Sequence, residues 1–256
     1  MKKPSNKHNI ERMFLLVQVV LYTIFLTLDL TGLDAGRSNQ VKYIVIILCF
    51  CYAFFAGKGT VRFLKAALLF TVLADLFLLI MDYYFYGVLV FIIVQHLYGV
   101  RLVILKSRQS VLSEDGDLRD HTYYYIRKHV LSGYIVRVIL QAAAASVICI
   151  MLSILDVSLE LLSVVSIYYF ILISSNVISS IRLAFLSPRD KGNVLYGIGM
   201  LLFLLCDINV GLYNLSGFIA MPENAYHLIY TVSSLLMWTF YAPAQVLIAI
   251  SSRYSK

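Results

Sequence analysis

Apolar residues fill eight long runs of the chain, and polar or charged residues gather in the stretches between them. Each run is about 17 to 25 residues long, the length that crosses a bilayer as an α-helix. The runs predict spanning helices over residues 13–31, 41–57, 63–82, 84–105, 133–153, 160–182, 194–214 and 226–250. We therefore expect an all-α, polytopic transmembrane bundle that forms one integral membrane domain over residues 1–256.

Composition agrees with this architecture and excludes a soluble globule. Of the 256 residues, 61% are hydrophobic and only 14% are charged. The longest polar stretch, residues 106–132, is too short for a soluble domain and is expected to be a mixed-charge cytoplasmic loop. All four cysteines lie inside apolar runs, which favours packing roles over disulfides. No Cys/His spacing typical of metal sites occurs, so neither a metal nor another cofactor is predicted.

The basic residues alternate between the two ends of the predicted helices. Seventeen of the 21 Lys and Arg residues fall in the N-terminal segment, the even-numbered loops and the C-terminus. Only Arg37 and Lys42 fall on the opposite side. Because cytoplasmic segments are enriched in Lys and Arg, both termini are predicted to be cytoplasmic. The net charge of +7 is therefore interpreted as a sign of how the helices are oriented in the membrane, and nucleic acid is not expected as a partner.

Two carboxylates interrupt the apolar runs. Asp75 lies in the third predicted helix and Asp207 in the seventh. A charge in hydrocarbon is costly, so such residues are usually retained for a function or a partner. Each lies seven residues before the predicted outer end of its helix, or about 10 Å at 1.5 Å per residue. We expect the two aspartates to share one depth and one cavity, which opens outward past Asp82.

Polar and small residues at helical spacing mark the helix faces that avoid lipid. The stripes comprise Gln18, Tyr22, Phe25 and Asp29; Ser166, Tyr169, Asn176 and Ser180; Tyr196, Met200, Phe203, Asp207, Gly211 and Asn214; and His227, Tyr230, Ser234, Met237, Tyr241 and Gln245. In the fourth helix Gly87, Phe91 and Tyr98 share a face. His96 is about 200° from Tyr98, so structural and catalytic roles for this histidine both stay open. Pro243 should free a backbone carbonyl in the last helix.

Four short segments combine these residues into a wider pattern. They are LFTVLADLFLL with Asp75, FYGVLVFIIVQHLY with His96 and Tyr98, GIGMLLFLLCD with Phe203 and Asp207, and YAPAQVLIAIS with Tyr241 and Gln245. In this order they resemble the YhhN family of integral membrane proteins, which includes the mammalian lysoplasmalogenases. Lys42 matches the family's lysine. The chain departs at Tyr43, Ala74 and Cys206, where the family usually has Pro, Gly and Ser.

The resemblance implies a lipid hydrolase of a bacterial cytoplasmic membrane. Its substrate would be a lysophospholipid or another single-chain lipid, whose vinyl ether bond is cleaved to a fatty aldehyde and a glycerophospho-headgroup. Asp75 and Asp207 would be the acid/base pair. The substrate-binding set would be Lys42, Asp82, His96, Tyr98, Phe203, Tyr241 and Gln245. The oligomeric state is left open.

The residues themselves also suit functions of other classes. Intramembrane aspartates and polar helix faces are typical of proton-coupled transporters, in which Asp75 and Asp207 would be protonation sites. A lipid-binding protein without catalytic activity is a third possibility.

Overall fold

Among the residues that the structure describes, the chain forms eight long helices. The structure is a computed structural model that describes residues 6–57, 61–114, 119–157, 159–214 and 222–254, without the side chains of 6–7, 108–114 and 119–131. The helices are α1 (Asn6–Thr31), α2 (Ala35–Ala56), α3 (Arg62–Asp75), α4 (Tyr84–Glu114), α5 (Arg119–Ile154), α6 (Leu161–Leu186), α7 (Lys191–Tyr213) and α8 (Glu223–Tyr254). A π-helical segment, Leu76–Ile80, follows α3 directly. No strand occurs among the described residues.

Eight spans in the described residues are long and apolar enough to cross a membrane, with α3 and the π segment forming one of them. The predicted all-α, multi-pass bundle is therefore confirmed. The side of the membrane on which the termini lie stays a prediction. Among the basic residues behind that prediction, Lys2, Lys3, Lys58 and Lys256 fall outside the described part of the chain.

Several helices begin earlier or end later than their apolar runs. The second predicted helix starts at 41, but α2 begins at Ala35 because the Asp34 side chain accepts a hydrogen bond from the Arg37 amide at 2.9 Å. Asp190 caps α7 in the same way, accepting from Gly192 N and Asn193 N. Apolar periodicity detects the membrane-buried part of a helix, whereas capping residues set its ends.

The largest difference concerns residues 106–132, which were expected to be a loop. There α4 continues to Glu114 and α5 begins at Arg119, so most of this segment is helical. Residues 115–118 lie outside the described residues. The segment is polar because it extends beyond the apolar spans, and it holds no proline to stop a helix. Low hydropathy was therefore a poor guide to backbone conformation here.

Helix α8 occupies a central place in the bundle. It packs along α7 and also contacts α2, α1 and α3, while α4 and α6 close the other side. Gly199 permits the close contact between α7 and α8, since an added Cβ would lie 2.8 Å from Ile248 Cγ1. Helix α5 packs on α4 and α6 at the periphery.

Pro243 lies inside α8, where it removes the hydrogen bond to the Thr239 carbonyl. That carbonyl instead accepts a long hydrogen bond of 3.5 Å from the hydroxyl of Tyr22 in α1. The prediction that Pro243 frees a carbonyl for use inside the bundle is confirmed.

Candidate functional site

Asp75 is buried at the end of α3. Its carboxylate is only 2% exposed and accepts a hydrogen bond of 2.7 Å from the Tyr241 hydroxyl of α8. The π segment begins at the next residue. A π-helical turn widens the hydrogen-bonding register and often occurs at functional sites. Sequence periodicity predicted one regular helix over 63–82, because a π turn leaves no mark in the spacing of apolar residues.

Asp207 occupies the equivalent position on α7. It accepts a hydrogen bond of 2.7 Å from the Tyr169 hydroxyl of α6. Unlike Asp75, Asp207 is only half-buried. Each carboxylate thus has one tyrosine donor from another helix, but only Asp75 is fully buried.

The two carboxylates lie in one site. The rings of their donors, Tyr241 and Tyr169, lie 6.4 Å and 6.1 Å from the Phe91 ring, measured between centroids. This arrangement agrees with the equal depths expected from the sequence. A low-dielectric site stabilises two ionised carboxyl groups poorly.

An aromatic cluster joins the two Asp–Tyr pairs. The ring of Phe91 lies 6.1 Å from Tyr169, 5.8 Å from Phe203 and 6.4 Å from Tyr241, measured between centroids. Phe203 lies 5.3 Å from Tyr241. The site therefore has two carboxylates, each bonded to a tyrosine, with aromatic rings between them. This environment is suited to a lipid tail or an ether linkage.

Lys42 lies near this cluster, and the ring of Trp238 lies between them. Its ammonium makes an ion pair with Asp29 at 2.9 Å and lies 5.1 Å from the ring of Trp238, which itself lies 5.1 Å from the Tyr241 ring. Asp29 also accepts a hydrogen bond from Ser38. A substrate phosphate at Lys42 would therefore compete with Asp29 for the ammonium.

Gln245 and Tyr98 lie deeper in the bundle than the carboxylates. Gln245 is one helical turn beyond Tyr241, is fully buried, and has no described hydrogen-bond partner for either amide atom. The Tyr98 ring lies 5.8 Å from Tyr196, and its hydroxyl is beside Thr71. Buried amides are nearly always paired, so Gln245 requires a water or ligand partner.

His96 and Asp82 have other surroundings. The His96 ring contacts the hydroxyls of Tyr134 at 2.7 Å and Tyr168 at 3.3 Å, on the side of the bundle that faces α5 and α6. It shares no described contact with Asp75 or Asp207. Asp82 is exposed just beyond the π segment, with a left-handed backbone (φ 58°). Both therefore lie outside the Asp–Tyr cluster.

Four residues around the site were not assigned to it from the sequence. Tyr169 belonged to a predicted polar stripe but was not assigned a partner, and Trp238 and Asp29 were not included among the candidate site residues. Gln95 is also buried, and its amide accepts a hydrogen bond from Asn176 at 2.9 Å while lying next to Tyr169. Tyr169 and Asp29 belonged to predicted polar stripes, which give the face of the helix, whereas the partner across the bundle depends on how the helices pack.

Comparison of the chain with protein-family models, with curated proteins and with solved structures finds no match. The resemblance to the YhhN family therefore depends on the four short motifs alone.

Proposed function

We propose that the protein is a membrane-embedded hydrolase that cleaves the vinyl ether bond of a single-chain lysophospholipid. The observation that carries the proposal is the pair of Asp–Tyr units, Asp75–Tyr241 and Asp207–Tyr169, which approach each other across an aromatic cluster inside an apolar bundle. Carboxyl groups held in such a site are suited to general acid/base catalysis.

Vinyl ether hydrolysis requires an acid and a base in succession. The acid gives a proton to the alkene carbon distant from oxygen, which creates an oxocarbenium ion. Water then adds to that ion with loss of a proton to the base, and the hemiacetal divides into an aldehyde and an alcohol. One water molecule is consumed and no oxidant or reductant is needed. One protonated and one ionised carboxyl group supply both functions.

The different burial of the two carboxyls suggests their separate roles. We assign the proton donor to Asp75, because a closed apolar site disfavours the charged form of its side chain. Asp207 is the less buried of the two carboxyls, so we assign it the activation of the water nucleophile. Gln245, with its unpaired amide, is the nearest described candidate to hold a water or a polar substrate atom beyond Tyr241.

The experiment is a product assay on purified protein in detergent micelles with three lysophospholipids that share one headgroup. One carries a vinyl ether chain, one a saturated ether chain and one an ester chain. We expect aldehyde from the vinyl ether alone, because only its alkene can be protonated to an oxocarbenium ion. Release of fatty acid from the ester, without aldehyde from the vinyl ether, would replace this proposal by an esterase.

A second candidate function is proton-coupled transport. It is favoured by the helix irregularity beside Asp75, since transporters often place binding sites where a membrane helix is interrupted. In proteoliposomes a transporter would move protons or a solute in response to a pH gradient and would release no aldehyde. The hydrolase requires no gradient, so the two functions separate cleanly in these assays.

A further inference from the structure

An open groove lies at the periphery of the bundle, and none of its lining residues belongs to the Asp–Tyr pairs. It has a volume of about 420 Å³ and is formed between α5 and α6 within their membrane spans. Its walls are mainly apolar, with Val136, Leu140 and Ile171 among them, and its polar side chains are Arg137, Gln141 and Ser175. An apolar groove on a membrane span suits an acyl chain, and the polar side chains give it one charged end.

Arg137 provides that charge. The guanidinium is half-buried, and its Nη2 donates hydrogen bonds of 2.8 Å to both Ser175 Oγ and Asn176 Oδ1. Both acceptors are neutral, and among the described side chains no carboxylate forms an ion pair with Arg137. Arginine stays protonated in proteins, so this positive charge persists inside the span without a described counter-ion.

The position of Arg137 indicates the kind of anion that would neutralise it. Arg137 lies four residues from position 133, where the predicted apolar run of α5 begins, or roughly 6 Å along the helix at 1.5 Å per residue. A long arginine side chain at this depth reaches toward the headgroup layer, where phospholipid phosphates lie. Nη2 is held by Ser175 and Asn176, which fixes the guanidinium plane, while Nε and Nη1 have no described protein partner.

We propose that this groove is a binding site for an anionic membrane phospholipid. The lipid phosphate would accept hydrogen bonds from the Arg137 guanidinium, whose planar fork matches phosphate oxygens. One acyl chain would lie along Val136, Leu140 and Ile171. The basic loops predict that this end of α5 faces the cytoplasm, so the lipid would come from the cytoplasmic leaflet. The site does not depend on hydrolase activity.

The test measures lipid binding to the full chain by native mass spectrometry, with phosphatidylglycerol or phosphatidylcholine titrated into delipidated protein. The informative variants are Arg137→Gln, which removes the charge, and Arg137→Lys, which keeps a point charge but loses the fork. Arg182→Gln is the matched control, because Arg182 is an exposed arginine near the same end of α6. Glycerol phosphate, added as a competitor, separates recognition of a free phosphate from recognition of the whole lipid.

We expect Arg137→Gln to weaken phosphatidylglycerol binding about fivefold or more, and Arg182→Gln to leave it unchanged. Arg137→Lys should fall between the two, and phosphatidylcholine should bind more weakly than phosphatidylglycerol to the wild type. Equal binding by Arg137→Gln and wild type would overturn the proposal. Equal losses in both Gln variants, equal binding of the two lipids, or full displacement by glycerol phosphate would overturn it too.

A second measurement needs no variant and stays informative if Arg137→Gln fails to fold. Phosphatidylglycerol with a photoreactive group in its acyl chain is crosslinked to the wild-type protein, and the labelled peptides are sequenced. Labelling concentrated at Val136, Leu140 and Ile171 would support the groove. Labelling spread evenly over the lipid-facing residues of the other helices would contradict it.

Discussion

At the scale of single residues, the site consists of two carboxyl groups that differ in how deeply they are buried. Asp75 and Tyr241 are 2% and 4% exposed, whereas Asp207 and Tyr169 are half-buried. A hydrogen bond to a charged group contributes about 1.5–3 kcal/mol, so each tyrosine is expected to influence the carboxyl it contacts. Both hydroxyls also fix the orientation of the carboxyl group that they bind.

Removing either tyrosine hydroxyl tests this arrangement. We expect Tyr241→Phe and Tyr169→Phe each to lower kcat for aldehyde release about tenfold or more, since about 1.4 kcal/mol corresponds to one power of ten. The control is Tyr230→Phe, because Tyr230 is bonded to Tyr213 at the exposed end of α8 and contacts neither carboxyl. Rates like the wild type in both site variants would exclude a role for the hydroxyls in the reaction.

A single substitution at Gln245 separates an effect on stability from an effect on activity. Because neither amide atom has a described partner, Gln245→Leu should leave the melting temperature unchanged or raise it, while lowering kcat about tenfold. Gln18→Leu serves for comparison. Gln18 donates to the Val45 carbonyl at 3.1 Å, so its loss should destabilise the protein by about 1–3 kcal/mol. A Gln245→Leu protein of full activity would remove Gln245 from the site.

The residues of the site could be predicted from sequence only in part. Asp75 and Asp207 stand out because charges are rare in apolar runs, and their equal depth follows from helix geometry. The tyrosines that bind them do not stand out, since the chain has 19 tyrosines and many lie in spans. The choice of Tyr169 and Tyr241 depends on which helices become neighbours, and no local pattern encodes that.

At the scale of helices, two features were invisible in the apolar pattern: the π segment after Asp75 and the close contact of α7 with α8. Helix existence and approximate position were predictable, because a spanning helix needs about 20 apolar residues. Helix ends were not, because α2 and α7 begin at side-chain caps and α4 and α5 extend beyond the apolar runs.

The α7–α8 contact is tested by comparing two glycines of α7, one inside the contact and one outside it. In Gly199→Ala the new Cβ would lie 2.8 Å from Ile248 Cγ1 and 3.0 Å from the Ala244 carbonyl oxygen, so the helices must separate. We expect a loss of about 1–3 kcal/mol in stability, seen as a lower melting temperature in detergent. Gly211→Ala on the same helix meets no atom within 4 Å and should not destabilise the protein. Equal melting temperatures for both variants would contradict the packing.

At the scale of the whole molecule, the bundle places two sets of charged and polar groups toward opposite ends. The Asp–Tyr pairs lie toward the end that the basic loops predict to be outer. At the opposite end Glu11 binds both Arg253 and Tyr254, which joins the first helix to the last. An even number of spans returns the chain to its starting side. The predicted orientation then places the Glu11–Arg253 pair at the cytoplasmic surface.

Cysteine labelling tests that orientation. Asp156 and Arg189 are exposed residues in the connections that follow α5 and α6, and they should lie on opposite sides of the membrane. We expect a membrane-impermeant maleimide to label Asp156→Cys in intact cells, and to label Arg189→Cys only after lysis. The wild type, whose four cysteines lie within spans, provides the background. The reverse pattern would invert the topology and place the carboxyl pair toward the cytoplasm.

The most direct test of the central claim is aldehyde release from a vinyl ether lysophospholipid in D₂O by wild type, Asp75→Asn, Asp207→Asn and Asp156→Asn. Asp156 is an exposed aspartate with a left-handed backbone that asparagine also tolerates. We predict one deuterium at the aldehyde's second carbon, a loss of about 100-fold or more in both site variants, and an unchanged rate for Asp156→Asn. Full activity in either folded site variant would remove that carboxyl from the reaction, and no aldehyde from folded wild type would contradict the hydrolase itself.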